Sequence, residues 1–349
     1  MSKKFGMGTD VPGVLTAATV LLAPIGVASA QSAEDFFRKA PHLTMYVGSG
    51  AGGGYDQHAR LLVRSLSRLL PGNPSFVVEY MPTASGIQAL NFIYNSAPRD
   101  GSVILAASTA ALALPIYDSP VVRYDPRKFE WIGSMGKQQA TCVTTKTSGI
   151  KSLEDATKRP VTVSAVAVSG SPGIYPAVLN SLFGTQFKVI AGYSTDGMPM
   201  AVERGEVDGL CGYAWQAYMA NGSRWFADKT VNIIAQMGLV KIPELPDVPL
   251  ASELANDLDK KGVLDLIALP GEFGWPYVAP PGTPSDRMAI YRRAFQAVLK
   301  DPQFLADAEA QRIAIEPLDD KEVGDLLRIA YSAPKAVHDR AAAFVAQVK

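Results

Sequence analysis

Ten residues from Val47 to Asp56 read Val-Gly-Ser-Gly-Ala-Gly-Gly-Gly-Tyr-Asp, and they join two very different patterns. Before them Leu43, Met45 and Val47 alternate as in a strand; after them Ala59, Leu62, Val63, Leu66 and Leu69 recur at helical spacing, with Arg60, Arg64 and Arg68 on the opposite face. A glycine run at such a corner lets the backbone approach a ligand, and the N–H groups of the first helical turn have no partners within the helix. That arrangement favours an anion. Ser49, Ala51, Gly52, Gly53, Gly54, Tyr55 and Asp56 are therefore candidate binding residues.

Two more strand-to-helix corners follow the same logic. Val168-Ser169-Gly170-Ser171-Pro172-Gly173 leads into a helix that Ser171 can cap, with Pro172 at its first position and Gly184 past its end. Gly192-Tyr193-Ser194-Thr195-Asp196-Gly197 precedes a helix ending at Gly205. Each offers hydroxyls and N–H groups at the carboxyl end of a strand, where open α/β sheets hold ligands. Two such corners facing each other across a cleft would hold a carboxylate at each end without any arginine. The alternative for each is ordinary helix capping. Tyr213, with Trp215, and Trp275-Pro276-Tyr277 can line a pocket or pack at a surface.

Catalytic patterns are weaker. Gly48 to Gly53 approximates a dinucleotide-binding turn, yet no acidic residue is clearly placed some twenty positions on. Gly192 to Asp196 resembles a nucleophile elbow around Ser194, with Asp where the last glycine belongs. His42, His58 and His338 are far apart and read as solvated rather than catalytic. No Cys or His spacing suggests zinc, so neither a metal nor a cofactor is expected.

The elements that must position these residues alternate between strand and helix, which predicts an α/β fold with mainly parallel sheets. Strands are expected at Phe76–Tyr80, Val103–Ala107, Thr141–Thr145, Val161–Ala165, Phe187–Ala191, Val207–Cys211 and Val231–Gln236. Ser85 is read as the cap of the helix that Pro98 ends. Thr283, Pro284 and Asp286 open a helix carrying Met288, Tyr291, Phe295 and Val298, and two more helices start near Pro302 and Lys321. A helical tail without its own sheet should pack on the first domain. The chain then crosses twice between domains, 31–138 plus 270–349 forming one and 139–269 the other.

The 349 residues leave room for two domains. The 33 basic and 33 acidic residues give no footprint for nucleic acid. Lys3 and Lys4, an apolar run from Val14 to Val27 and Ala28-Ser29-Ala30 read as an export signal over 1–30, cleaved before Gln31; a retained anchor is the alternative. Cys142 and Cys211 would then meet an oxidising compartment, either bridged or as two buried thiols.

In order along the chain, several blocks resemble the periplasmic solute-binding receptors of the tripartite tricarboxylate transporter family, the Bug receptors. Gly52, Gly53, Gly54 and Asp56 match its P-F-x-x-G-G-G-T-D loop. Met81 to Gly86 stands at its R-P-G-A-G-G block, and Ala97-Pro98-Arg99-Asp100-Gly101 at its A-P-x-D-G turn. Ser169 to Pro172, Gly192-Tyr193-Ser194, Arg204 to Asp208 and Val278 to Pro284 follow at family-like positions, so the resemblance spans residues 41 to 335. Gly48 to Ala51 in place of P-F-P-P, Tyr55 in place of Thr, no His after Pro172, and Cys211 to Trp215 in place of F-D-S mark a divergent branch with a ligand other than citrate.

The resemblance implies a two-domain periplasmic binding protein of the Venus flytrap, type II-like class. It would be a monomer and not an enzyme, taking a small organic acid to integral-membrane transporter subunits. The Gly52 to Asp56 backbone would grip a carboxylate, helped by the hydroxyls of Ser49 and Tyr55. Ser169, Gly170, Ser171, Ser194 and Thr195 would close the site, with Ser108 and Thr109 near the hinge. A secreted hydrolase using Ser194 and a receptor coupled to a membrane sensor are the other readings.

Overall fold

A computed structural model of the chain describes residues 33–117, 121–168, 170–220 and 224–347. The export signal and Ser169 lie outside the described residues. The first half runs α1 (33–39), β1 (His42–Val47), α2 (Gly54–Leu69), β2 (Ser75–Tyr80), α3 (Ile87–Asn95), β3 (Val103–Ala106), α4 (Thr109–Ala113) and β4 (Glu130–Ser134). It continues with β5 (Ala140–Thr145), α5 (Asp155–Lys158), β6 (Val161–Ala165), α6 (Ser171–Phe183), β7 (Phe187–Ala191), α7 (Gly197–Glu203), β8 (Gly209–Ala214), α8 (Trp215–Ala220) and β9 (Val231–Met237). After α9 (Leu258–Phe273) come β10 (Pro276–Ala279), α10 (Ser285–Val298), α11 (Pro302–Ala310), α12 (Asp320–Ser332) and α13 (Lys335–Gln347).

Two five-stranded sheets result, ordered β2-β1-β3-β10-β4 and β7-β6-β8-β5-β9. This is the two-domain periplasmic binding protein fold, with the chain crossing twice. The sheets are mixed rather than mainly parallel. Strand β1 is parallel to β2 and β3, and β6 to β7 and β8, but β10 runs against β3 and β4, and β5 against β8 and β9. The antiparallel strands are those that follow a crossing, which enter their sheet from the end where their neighbours finish.

Periodicity places the first core correctly except at its edge. Leu43, Met45 and Val47 of β1 and Ala59, Leu62 and Leu66 of α2 are buried, each large side chain contributing about 1.5 to 3 kcal/mol. Leu69 is exposed instead, and Leu70 takes its place as the helix ends. Ser85 and Thr283 do not cap. Gly86 and Pro284 hold those positions, and Thr283 donates its hydroxyl to Pro280 O.

Between the sheets lies α9, whose Leu266 and Phe273 join Leu105 and Val278 of one sheet to Val163 and Cys211 of the other in one apolar cluster. The division read at 269 and 270 falls inside this helix. Of the tail, α10 and α11 pack on α2, whereas α13 packs on α9 and touches α6.

The two crossing segments lie side by side. Gln138 N–H donates to Gly271 O at 2.7 Å, Trp275 N–H to Gly136 O at 3.3 Å and Met135 N–H to Trp275 O at 3.1 Å. Lys137 pairs with buried Glu272 at 3.2 Å, and Glu272 also accepts from Leu239 N–H at 2.9 Å. The hinge is therefore a hydrogen-bonded ribbon.

Cys142 and Cys211 face each other across β5 and β8 and are joined as a disulfide. Thiol titration of the denatured, exported protein should find no free thiol before reduction. Reduction opens a closed loop of 69 residues and is expected to lower stability by about 2 to 4 kcal/mol in a denaturant melt. Two free thiols without reductant would contradict it.

Candidate functional site

The glycine corner is shaped by the carboxylate that follows it. Gly52 adopts φ +83°, a left-handed conformation suited to glycine, and its N–H donates to Asp56 Oδ2 at 2.8 Å. Asp56 is 4% exposed and also accepts from Tyr80 Oη at 2.7 Å and Arg60 Nε at 2.8 Å. Burial raises its pKa, but the Gly52, Tyr80 and Arg60 interactions outweigh that and hold it below the ordinary value. Gly52 N–H and the Asp56 side chain are thus committed to each other. The cap Gly53 brings no side chain to the first turn of α2, so the N–H groups at Gly54, Tyr55 and Asp56 form the anion-attracting end.

Tyr55 also serves the scaffold. Its hydroxyl accepts from Thr109 N–H and lies 3.0 Å from Thr109 Oγ1, tying α2 to the start of α4. Ser108 caps α4 by accepting from Ala111 N–H. Ser49 Oγ reaches only the neighbouring Gly50 carbonyl.

His58 corrects the expectation of a solvated side chain. It is 7% exposed and stacks on Trp275 with ring centroids 3.7 Å apart and 15° between planes. Its Nδ1 lies 2.7 Å from Gly54 O, and since a carbonyl only accepts, Nδ1 carries the proton. Burial lowers its pKa to about 4, against the opposing pull of that hydrogen bond, so the ring is neutral at pH 7.

In the second half, β8 carries a bulge at Gly212, φ +95°, where a Cβ would come within 2.5 Å of Ser171 O. The missing side chain lets β8 press against the start of α6, which Gly170 rather than Ser171 caps. Ser194 Oγ accepts from Gly197 N–H at 3.0 Å and is paired with no histidine among the described residues. Tyr213 packs edge-on to Tyr218 at 4.8 Å. Trp215 sits in an apolar cluster with Tyr218 and Trp225.

A cleft of about 1000 Å³ joins these corners. Gly52, Gly53, Gly54, Thr109, Gly170, Ser171, Ser194, Thr195 and Tyr213 line it. Ser49, Ala51, Tyr55, Asp56, Ser108 and Trp215 stand outside its lining, supporting or flanking those that do. Trp275, read above as lining a pocket or packing at a surface, lines it, and Gln57, His58, Gln138 and Arg312 line it without having been singled out as site residues in the sequence. Of these only His58 carried a local signal, four residues beyond Gly54 on the same face of α2. Asp196 and Arg312 bring its charged side chains. Arg312 has φ +56°, a conformation costly for a residue with a side chain.

Gly54 shows how closely the parts fit. A Cβ there would stand 2.7 Å from Trp275 Cη2, whereas at Gly53 the nearest atom is Gly50 O at an ordinary 3.7 Å. Gly54→Val should push Trp275 off His58 and weaken binding of an anionic ligand at this turn about 10-fold to 100-fold by calorimetry, or about 1.4 to 2.8 kcal/mol. Gly53→Ala should change it little. Equal losses in both would contradict this geometry.

No family model matches the chain. It is 24% identical over 296 residues to a UPF0065 protein of Bordetella bronchiseptica, covering 82% of each. A TctC solute-binding protein from Polaromonas superposes with a TM-score of 0.67 at 15% identity, over 88% of this chain and 98% of that one. The fold is that of the TctC solute-binding proteins. The fold also matches MatC from Rhodopseudomonas palustris, solved with bound malate, with a TM-score of 0.55 at 19% identity over 87% and 99% of the two chains. Within this receptor fold no group of three or more His, Cys, Asp or Glu that could hold a metal occurs among the described residues, and no described helix is long and apolar enough to cross a membrane.

Proposed function

We propose that this chain is a periplasmic solute-binding receptor of the tripartite tricarboxylate type, capturing a small carboxylate-bearing organic acid between residues 31–138 plus 270–349 and residues 139–269. The observation that carries this reading is the first turn of α2, set by the Asp56 clamp and opening on a cleft lined by α2, α4 and Trp275 on one side and by β8, the start of α6 and the Ser194 corner on the other. A carboxylate there meets several N–H donors and the positive end of a helix dipole.

Corners at Gly170–Ser171 and Ser194–Thr195 contact the ligand from the opposite wall. Closure about the 135–139 and 271–275 ribbon is favoured by ligand because each half makes only part of the interaction. The closed receptor then delivers the acid to membrane transporter subunits. A hydrolase built on Ser194 lacks support, since its hydroxyl accepts from Gly197 N–H and pairs with no histidine among the described residues.

A thermal-shift screen of organic acids against their primary amides tests the reading. An acid present at 100 times its Kd should stabilise the protein by about 2.7 kcal/mol, and its neutral amide should not. Amides that shift the midpoint as much as the acids would overturn carboxylate capture.

A further inference from the structure

The clamp and the helix start account for a carboxylate, but not for the imidazole buried beside them. His58 lies one turn into α2, and helical side chains lean toward the N-terminus, which brings its ring back to Gly54. Stacking on Trp275 fixes the plane of the ring, and the Nδ1–H bond to Gly54 O fixes its rotation and tautomer. The other nitrogen, Nε2, is left with a lone pair and no proton. No described group donates to it, and the side chain lines the same cleft as Gly52, Gly53 and Gly54.

A bare acceptor on the same cleft as the first-turn N–H groups repels a second carboxylate oxygen and rewards a donor. We infer that His58 Nε2 makes the site select acids carrying a hydroxyl or amino group near the gripped carboxylate over the same acids without it. This rests on the carboxylate reading above and adds to it a specificity-determining residue and a narrower ligand class. Sites built to hydrogen-bond a ligand donor reject the analogue lacking it far more strongly than apolar pockets reject a missing methylene.

Calorimetry with three pairs that differ by one hydroxyl tests it: malate and succinate, lactate and propionate, 3-phenyllactate and 3-phenylpropionate. In the pair that fits the cleft, the hydroxy acid is expected to bind at least 10-fold more tightly. His58→Phe keeps a flat ring against Trp275 while removing the acceptor, and should bring that ratio close to one with the deoxy acid's affinity nearly unchanged. A wild-type ratio near one, a ratio that survives His58→Phe, or uptake of about one proton per ligand at pH 7 would overturn the inference while leaving carboxylate capture standing. Failure of all six acids to bind would count against the carboxylate reading itself.

Discussion

Replacing Gly274 with alanine is expected to cost about 4 kcal/mol or more, the largest effect of any single methyl group in this protein. Gly274 joins α9 to β10 with φ +54° and ψ −94°, and a Cβ there would stand 1.5 Å from Gly136 O and 2.7 Å from Lys137 Cα. Both obstacles are backbone, so no rotamer change relieves them. Either the two crossing segments separate, which breaks the Trp275 to Gly136 and Gln138 to Gly271 hydrogen bonds, or the residue stays in a region other side chains scarcely enter. Gly282→Ala is the control. It too has positive φ, at +80°, but nothing lies within 4 Å of the added carbon, so it should cost only about 1 kcal/mol. Urea denaturation measures both, and equal costs would show that the close approach at the hinge does not constrain the fold.

Asp56→Ala is expected to lower stability by about 3 to 5 kcal/mol, because three donors lose a charged acceptor and each such bond is worth about 1.5 to 3 kcal/mol before the partners rehydrate. Asp56→Asn keeps an acceptor for Tyr80 or Gly52 and should lose roughly half as much. The pH dependence separates this carboxylate from its neighbour His58. The folded pKa of Asp56 is depressed, so its stabilisation is complete above the ordinary aspartate range near 4 and disappears as the pH falls through the lower folded value. His58 titrates near 6.5 when unfolded and about 4 when folded. The unfolded chain therefore takes up that proton first, and stability declines as the pH falls from about 6.5 to about 4. Urea melts across this range should show the upper decline vanish in His58→Phe and the lower one in Asp56→Asn. A stability flat from pH 7 to 4 in the unmodified chain would contradict the burial of a neutral His58.

Sequence alone conveys the glycine corner, the amphipathic α2 and the double crossing, because each leaves a local pattern in one stretch of chain. It conveys much less of the hinge. Strand β10 is four residues between Gly274-Trp275 and Pro280, and β4 lies within a Pro-, Tyr- and Trp-rich stretch, so both resemble linkers until pairing with distant strands gives them a place. Their antiparallel insertion is a property of the crossing, which no periodicity records. The cleft divides the same way. Gly52 to Gly54 are legible because glycine before a helix has few other uses, whereas Tyr55 and Ser108 look like ligand donors until Thr109 and Ala111 are seen to engage them. Trp275 and Arg312 reach the cleft from more than 200 residues away, and His58 changes from a surface group to a buried acceptor only once Trp275 covers it.

The central claim, a carboxylate on the first turn of α2, is tested most directly by following the backbone amides themselves. In a titration of ¹⁵N-labelled protein with the tightest acid from the screen, the Gly53, Gly54, Tyr55 and Asp56 resonances should move with the same saturation midpoint as the calorimetric isotherm, and the amide protons should shift downfield as charged acceptors engage them. Gly52, already bonded to Asp56, should move less. Saturable binding of the acid with these four amides unperturbed would place the carboxylate elsewhere and contradict the account.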